Sequence, residues 1–299
     1  MSPQNKRFCF CTLALGQKYS KLAALLAQDI EKFSPGTTLI ILTDQPEEFS
    51  HYPQILAVEH KIQGVKCYHD KRFAIAKALS LFDACIFLDS DMRILAEVPE
   101  DINWLLVPGI TARACKAMPE KFAKVITGNA NKEFTQQYNL VRKATETLNL
   151  TTEWEDIQFV HEYLFSVTKD AGKEMEFLRQ WENLANYFEA NGFYDAEGNA
   201  IGLAAAKAGM SVRWGEMPGI DFFNNKTELI RIAKGQSKME EMSKYFEEQN
   251  NILYSQKSLV NKIIERLNQK IQLFYRKIRL KMFNSPLRLT ASKHSSGES

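Results

Sequence analysis

Apolar positions in the first part of the chain fall into short unbroken runs separated by stretches with helical spacing. Residues 8–15 are an apolar run closed by Gly16. Residues 18–33 then repeat apolar side chains at helical intervals (Leu22, Leu25, Leu26, Ile30, Phe33) until Ser34-Pro35-Gly36 breaks the pattern. Residues 38–43 are β-branched and aliphatic and end at Asp44. Residues 55–59 read as another strand, 73–82 as a helix with Phe73, Ala76, Leu79 and Leu81 in its apolar set, and 84–88 as a further strand. Strands that do not alternate apolar with polar are buried on both faces, and their alternation with helices predicts an α/β fold with a mostly parallel central sheet flanked by helices. Ligands of such sheets bind beyond the carboxyl ends of the strands. Thr12–Gly16, Thr43–Asp44 and whatever follows Leu88 should therefore share one rim.

Further along, a helix is expected over 132–148 and strand-like chain over 154–168, where His161 and Glu162 point in opposite directions and only one can face a cleft. Trp154, Trp181 and Trp214 are candidates for stacking on a ring-shaped ligand, with core packing as the competing role. From Val260 the pattern becomes purely helical: Ile263, Ile264, Leu267, Ile271, Phe274 and Ile278 recur at spacings of three and four, with Lys262, Arg266, Lys270, Arg276, Lys277 and Lys281 elsewhere on the wheel.

Charge follows this change of pattern. Over all 299 residues, 38 basic and 36 acidic side chains leave a net of +2, which argues against a nucleic-acid binder by bulk charge. Residues 257–299 alone hold ten basic side chains against Glu265 and Glu298, a net of +8, so the remainder is −6. The expected organisation is an α/β domain over 1–235, a helical extension over 236–283 and a disordered tail over 284–299. A basic amphipathic helix within 257–283 suits an anionic membrane surface; packing on the α/β domain or on a partner helix are the alternatives. Five cysteines, an odd number within the first 115 residues, favour reduced thiols and a cytosolic setting, peripheral on the inner membrane face if the helix binds lipid. The first residues carry no apolar signal segment, and no run approaches the roughly 18 apolar residues of a membrane span.

The most informative local sequence is Ala84-Cys85-Ile86-Phe87-Leu88-Asp89-Ser90-Asp91-Met92-Arg93, where two carboxylates stand two residues apart as a buried strand emerges. In extended chain they share a face and repel unless a cation or hydrogen bonds offset them. Hard oxygen ligands suit Mg2+ or Mn2+, above all an ion that takes its other ligands from a diphosphate.

This segment resembles the Asp-x-Asp motif of glycosyltransferases with the nucleotide-diphospho-sugar transferase (GT-A) fold. His69-Asp70-Lys71-Arg72-Phe73-Ala74 stands where that family places its donor-contacting helix, and Glu197-Gly198-Asn199-Ala200-Ile201-Gly202 is similar to its acidic turn. Met217-Pro218 through Asn224-Asn225 is a weaker match to its closing strand end. The resemblance spans roughly residues 8 to 230 and implies a GT-A-like sheet and transfer of a sugar from a nucleotide-diphospho-sugar donor to a glycan, lipid or protein acceptor. It implies Asp89 and Asp91 as catalytic metal ligands for Mn2+ or Mg2+, and Glu197 as a catalytic group that binds the sugar or acts as a base. Thr12, Leu13, Ala14, Asp44, Lys71, Arg72 and Ser90 are the implied donor contacts. Two departures stand out. Gly198 and Gly202 replace the usual Gln and Asn, and no His lies between His161 and His294 to serve as a late metal ligand, leaving Asp221 or Asn224 as substitutes, or the diphosphate and water to complete the shell.

Two other readings compete. Haloacid-dehalogenase-type phosphatases also carry Asp-x-Asp after an apolar strand, but they usually continue with Thr or Val where this chain has Arg93. A non-catalytic membrane-surface adaptor with a degenerate GT-A domain would account for the incomplete acidic turn.

Overall fold

The computed structural model describes residues 7–254, Leu267 and residues 270–280. In chain order the elements are β1 (Phe8–Ala14), α1 (Gln17–Phe33), β2 (Leu39–Thr43), β3 (Ile55–Glu59), α2 (Lys71–Leu79), β4 (Ala84–Leu88), β5 (Arg93–Ile94), β6 (Gly109–Ala112), β7 (Cys115–Ala117), α3 (Met118–Lys121), α4 (Ala123–Ile126), α5 (Lys132–Thr147), β8 (Gln158–Val160), β9 (Leu164–Thr168), α6 (Lys173–Ala190), α7 (Glu197–Ala208), β10 (Val212–Trp214), β11 (Phe222–Phe223), α8 (Asn225–Ala233) and α9 (Met239–Leu253). Residues 270–280 are also helical. Residues 255–266 and the expected disordered tail over 284–299 lie outside the described residues.

Seven strands make the central sheet in the order β10-β6-β9-β4-β1-β2-β3. Every neighbouring pair is parallel except those of β9, which runs antiparallel to both β4 and β6. The fold is thus α/β, a mostly parallel sheet with helices on both sides. The alternation along β1 shows why. Phe8 and Phe10 enter one core with Ala23, Leu26, Ala27 and Ile30 of α1, while Cys9 and Cys11 enter the opposite core with Ala74 and Ala78 of α2 and Trp181 of α6. Full burial of each large apolar side chain stabilises by about 1.5–3 kcal/mol, so a strand feeding two cores is apolar throughout. All five cysteines are free thiols.

The stretch over 154–168 is not one strand. Its first part forms β8, which pairs with β7 in a small separate sheet, and its second forms β9 in the main sheet. The turn between them begins at Glu162. None of the three tryptophans considered for stacking on a ligand lines the main cleft. Trp181 is fully buried and donates from Nε1 to His69 Nδ1 at 3.1 Å. Trp154 packs on Phe122 and Tyr138, and Trp214 is exposed on the edge strand β10.

The chain over 236–283 contributes α9, which lies against α1. There Gln249 donates to the Asp91 carbonyl and Glu248 accepts from Arg93.

The two glycines that depart from the family's acidic turn have a packing role. A Cβ on Gly198 would sit 2.2 Å from the Val160 carbonyl oxygen, and one on Gly202 only 1.7 Å from that of Gln158. One helical turn apart, they let α7 lie directly on the backbone of β8. Because the obstacle is backbone that cannot rotate away, Gly202→Ala is expected to destabilise on the order of 3 kcal/mol, read as a lowered Tm and an unchanged far-ultraviolet spectrum below the transition. A Tm within a degree or so of wild type would show that α7 can lift off β8 at little cost.

Candidate active site

The acids after β4 are fixed by backbone and by a buried fork. Asp89 donates its N–H to the Tyr163 carbonyl at 3.0 Å, and Met92 N–H closes a turn on the Asp89 carbonyl at 2.9 Å. Immediately beyond, β5 pairs antiparallel with β11. Arg93 reaches Asp29 of α1 through Nε at 2.5 Å and Nη2 at 2.9 Å, and Ile94 N–H reaches the same carboxylate at 3.1 Å. The residue that departs from the phosphatase pattern is therefore an anchor for the Asp89–Asp91 segment.

Around that segment the chain assembles a cluster of acids on one ammonium. Lys71, the first residue of α2, is buried. Its Nζ lies 2.9 Å from Asp89 Oδ1 and 3.9 Å from Glu197 Oε1, and it donates to the Glu162 carbonyl at 3.4 Å. Burial works to lower the Lys71 pKa, but its acidic neighbours, Asp89 first and then Glu197 and Glu162, outweigh it and hold the group above its ordinary value. Asp91 is pushed up to about 6, by burial first and by the Asp89 carboxylate second. Glu197, at the start of α7, is pushed up to about 8, mainly by burial and further by Glu162, against the pull of Lys71. It therefore carries a proton at neutral pH. Among the described residues, Glu197 Oε2 and Asn199 Oδ1 are buried with no hydrogen-bond partner.

This cluster opens on a cleft of about 1300 Å3 at the carboxyl rim of the sheet. Leu13, Asp44, Lys71, Asp89, Ser90, Asp91 and Glu197, all expected from the sequence, line it together. Asp44 also holds the loop after β1, accepting from Gly16 N–H at 2.8 Å. Three expected donor contacts do not reach it. Thr12 and Ala14 are buried within the sheet. Arg72 turns to the far side of α2, where it donates to the His69 carbonyl at 3.0 Å and borders a separate cavity of about 170 Å3. One helical position separates Lys71 from Arg72, and that is enough to send their side chains to different sites. Of the pair His161 and Glu162, the second faces the cleft, while His161 packs edge-on against Phe159 at 4.9 Å. Sequence reasoning missed Tyr19, His60, Lys66, Cys67, Tyr68 and Lys226, which also line the cleft. Their only sequence signal was a place on loops and helix starts at the rim.

The donor set suits a particular kind of cation. Asp89 and Asp91 present hard oxygens to one space, and the mutual repulsion that helps raise Asp91 is what a divalent ion relieves. Among the described residues, no group of three or more His, Cys, Asp or Glu side chains is placed to hold a metal. The suggested substitutes for a late ligand do not serve. Asp221 is exposed, and Asn224 caps α8 by accepting from Thr227 N–H at 3.1 Å. The pair fits Mg2+ or Mn2+ that takes its remaining ligands from substrate and water.

No protein-family model matches the chain, and no curated protein matches it. Among solved structures, the chain is similar to one described as the apo structure of the WbbM bifunctional glycosyltransferase. The identity is 11% and the TM-score 0.44, and the match covers 71% of this chain and 39% of that one.

The raised Glu197 pKa gives a signed prediction. Ionising the buried carboxyl costs folding free energy that is absent below about 4.5, where the unfolded group is protonated too, and complete above about 8. Glu197→Gln keeps the group neutral at every pH. Its Tm is therefore expected to rise relative to wild type as pH climbs from about 5 to about 8, and the gap then levels off. A gap independent of pH, followed by calorimetry, would mean that Glu197 is already ionised in the folded chain.

Proposed function

We propose that the chain is a glycosyltransferase that takes a sugar from a nucleotide-diphospho-sugar donor, with Mg2+ or Mn2+ held by Asp89 and Asp91. The observation that carries this reading is the meeting of both carboxylates with Lys71 and Glu197 in one cleft beyond the carboxyl ends of β1, β2 and β4. The nucleotide lies along Leu13 and Asp44 at the ends of β1 and β2. When bound, the cation supplies the Lewis acidity that takes up charge on the departing diphosphate. Lys71 adds a fixed positive charge at the same place in a site where burial strengthens every such interaction. Glu197, protonated at neutral pH beside Glu162, presents a neutral carboxyl to the sugar hydroxyls. A carboxyl pushed up to about 8 holds a proton in most molecules and, where ionised, is a stronger base than an ordinary carboxylate, so this reading keeps Glu197 as the group that binds the sugar or takes the acceptor's proton.

The basic helix supports a second assignment, an anionic membrane as partner. Leu267, Ile271 and Phe274 fall at successive turns and are 55%, 49% and 62% exposed, an apolar stripe with cations on either side. No helix among the described residues is long and apolar enough to cross a bilayer, so the contact is with its surface. The acceptor is then a group presented at that surface.

Asp91→Asn removes a charge without changing shape. It is expected to leave Tm within a few degrees of wild type and to cut Mn2+-dependent hydrolysis of a nucleotide sugar by about 100-fold or more. Undiminished turnover would remove Asp91 from the site. Flotation with phosphatidylglycerol vesicles checks the membrane assignment: Ile271→Ser with Phe274→Ser should lose most of the wild-type binding, and equal flotation would refute the assignment.

A further inference from the structure

The helix over 270–280 meets the rest of the chain in an unexpected orientation. An amphipathic helix that packs for stability buries its apolar stripe; here Ile271 and Phe274 face outward. Leu273 lines the cleft and Ile278 is half-buried, and the polar contacts are made by cations. Arg276 Nη1 donates to the Val65 carbonyl at 3.4 Å, and Arg279 Nη2 donates to the Ile62 carbonyl at 3.3 Å and to that of Gln63. Lys277 Nζ sits 5.1 Å from the centre of the Tyr194 ring. The accepting carbonyls belong to the loop after β3, which is one wall of the main cleft. Lys270, Arg276 and Arg279 line the same cleft as Asp89 and Asp91.

The charge balance of that cleft depends on the helix. Without it, four lysines face five carboxyl side chains, of which Glu197 is protonated, so the lining is close to balanced, and Lys71 is already engaged by Asp89. The helix adds Lys270, Arg276 and Arg279 and gives the lining an excess of positive charge. A guanidinium has five N–H donors, so an arginine hydrogen-bonded to a carbonyl keeps others for a second acceptor, and its fork suits phosphate oxygens.

We propose that residues 270–280 form a wall of the donor site, with Lys270, Arg276 and Arg279 binding the diphosphate of the nucleotide donor. The proposal rests on the nucleotide-sugar reading above. It makes docking of the helix and binding of the donor one linked event, because the ligand bridges the helix cations to the acids of the rim. The arginines are thereby assigned to a soluble diphosphate and not to lipid phosphates, although either ligand offers the same oxygens.

The test uses the full chain with Mn2+ at low ionic strength. UDP and GDP are titrated calorimetrically, and phosphatidylglycerol vesicle binding is measured in parallel. Arg276→Gln with Arg279→Gln is expected to weaken the tighter nucleotide by at least about tenfold, whereas Lys124→Gln with Lys132→Gln, an equal charge loss on α4 and α5, changes it by less than about twofold. In wild type, nucleotide should also slow amide hydrogen exchange over 60–67 and 270–280, and the arginine variant should lose that protection. Undiminished nucleotide affinity in the arginine variant overturns this proposal and leaves the nucleotide-sugar reading intact. So does a loss confined to vesicle binding, which would give the arginines to lipid. Failure of wild type to bind either nucleotide overturns both.

Discussion

One buried ammonium organises the site. Lys71 occupies the first turn of α2, where the helix dipole disfavours a cation, and it is desolvated as well. Nothing in local propensity or helix stability recommends a lysine there. Its position makes sense through what it touches: Asp89 from the rim of β4, Glu197 from the start of α7 and the Glu162 carbonyl from the turn between β8 and β9. Three segments far apart in sequence thus converge on one charge, and each would repel the others without it. The raised pKa of Glu197 belongs to the same balance, since burial and a neighbouring carboxyl exceed what a single ammonium can offset. The site relieves the surplus by holding a proton on Glu197, and a divalent ion at Asp89 and Asp91 would relieve it further.

Convergence alone does not place carboxylates; the backbone behind them must be rigid. The fork of Arg93 on Asp29, shared with Glu248, ties the segment after Asp91 to α1 and α9 at once. Buried ion pairs of this kind contribute little net stability compared with apolar packing of the same volume, and they cost about 3–5 kcal/mol when one partner is lost. Their value is positional. The direct seating of α7 on β8 through Gly198 and Gly202 does the same for Glu197 from the opposite side of the cleft.

Much of this was legible in the sequence, for identifiable reasons. The strands β1, β2 and β4 were readable because burial on both faces leaves unbroken apolar runs, and α1 because its single buried face imposes a helical period. Asp89 and Asp91 were readable because two acids after such a run need an explanation. The split of 154–168 into β8 and β9 was not, since a turn at Glu162 carries no Gly or Pro to announce it. Arg72 was misplaced because adjacent helical residues differ by about 100° in direction, and sequence alone does not give the phase of a short helix. Gly198 and Gly202 were read as missing hydrogen-bonding side chains, when what matters is the space they leave. That kind of constraint lives in the partner strand and leaves no mark on the helix's own pattern.

The basic tail shows the limit most clearly. Periodicity distinguishes its apolar stripe from its cationic faces but does not say which of them a partner covers. With the stripe outward and the arginines on the wall of the cleft, one helix would serve both proposals, apolar contact with a bilayer on one side and cationic contact with a diphosphate on the other. A helix docked chiefly, among the described residues, by hydrogen bonds to carbonyl oxygens and the Lys277–Tyr194 contact is held weakly, because each such bond contributes about 1 kcal/mol net. Its docked state is therefore sensitive to anything that adds contacts between it and the cleft. A diphosphate in the cleft adds them from within, whereas the outward stripe is open to a bilayer in either placement. Under the two proposals the donor therefore favours the docked helix, and the membrane decides only where the chain resides.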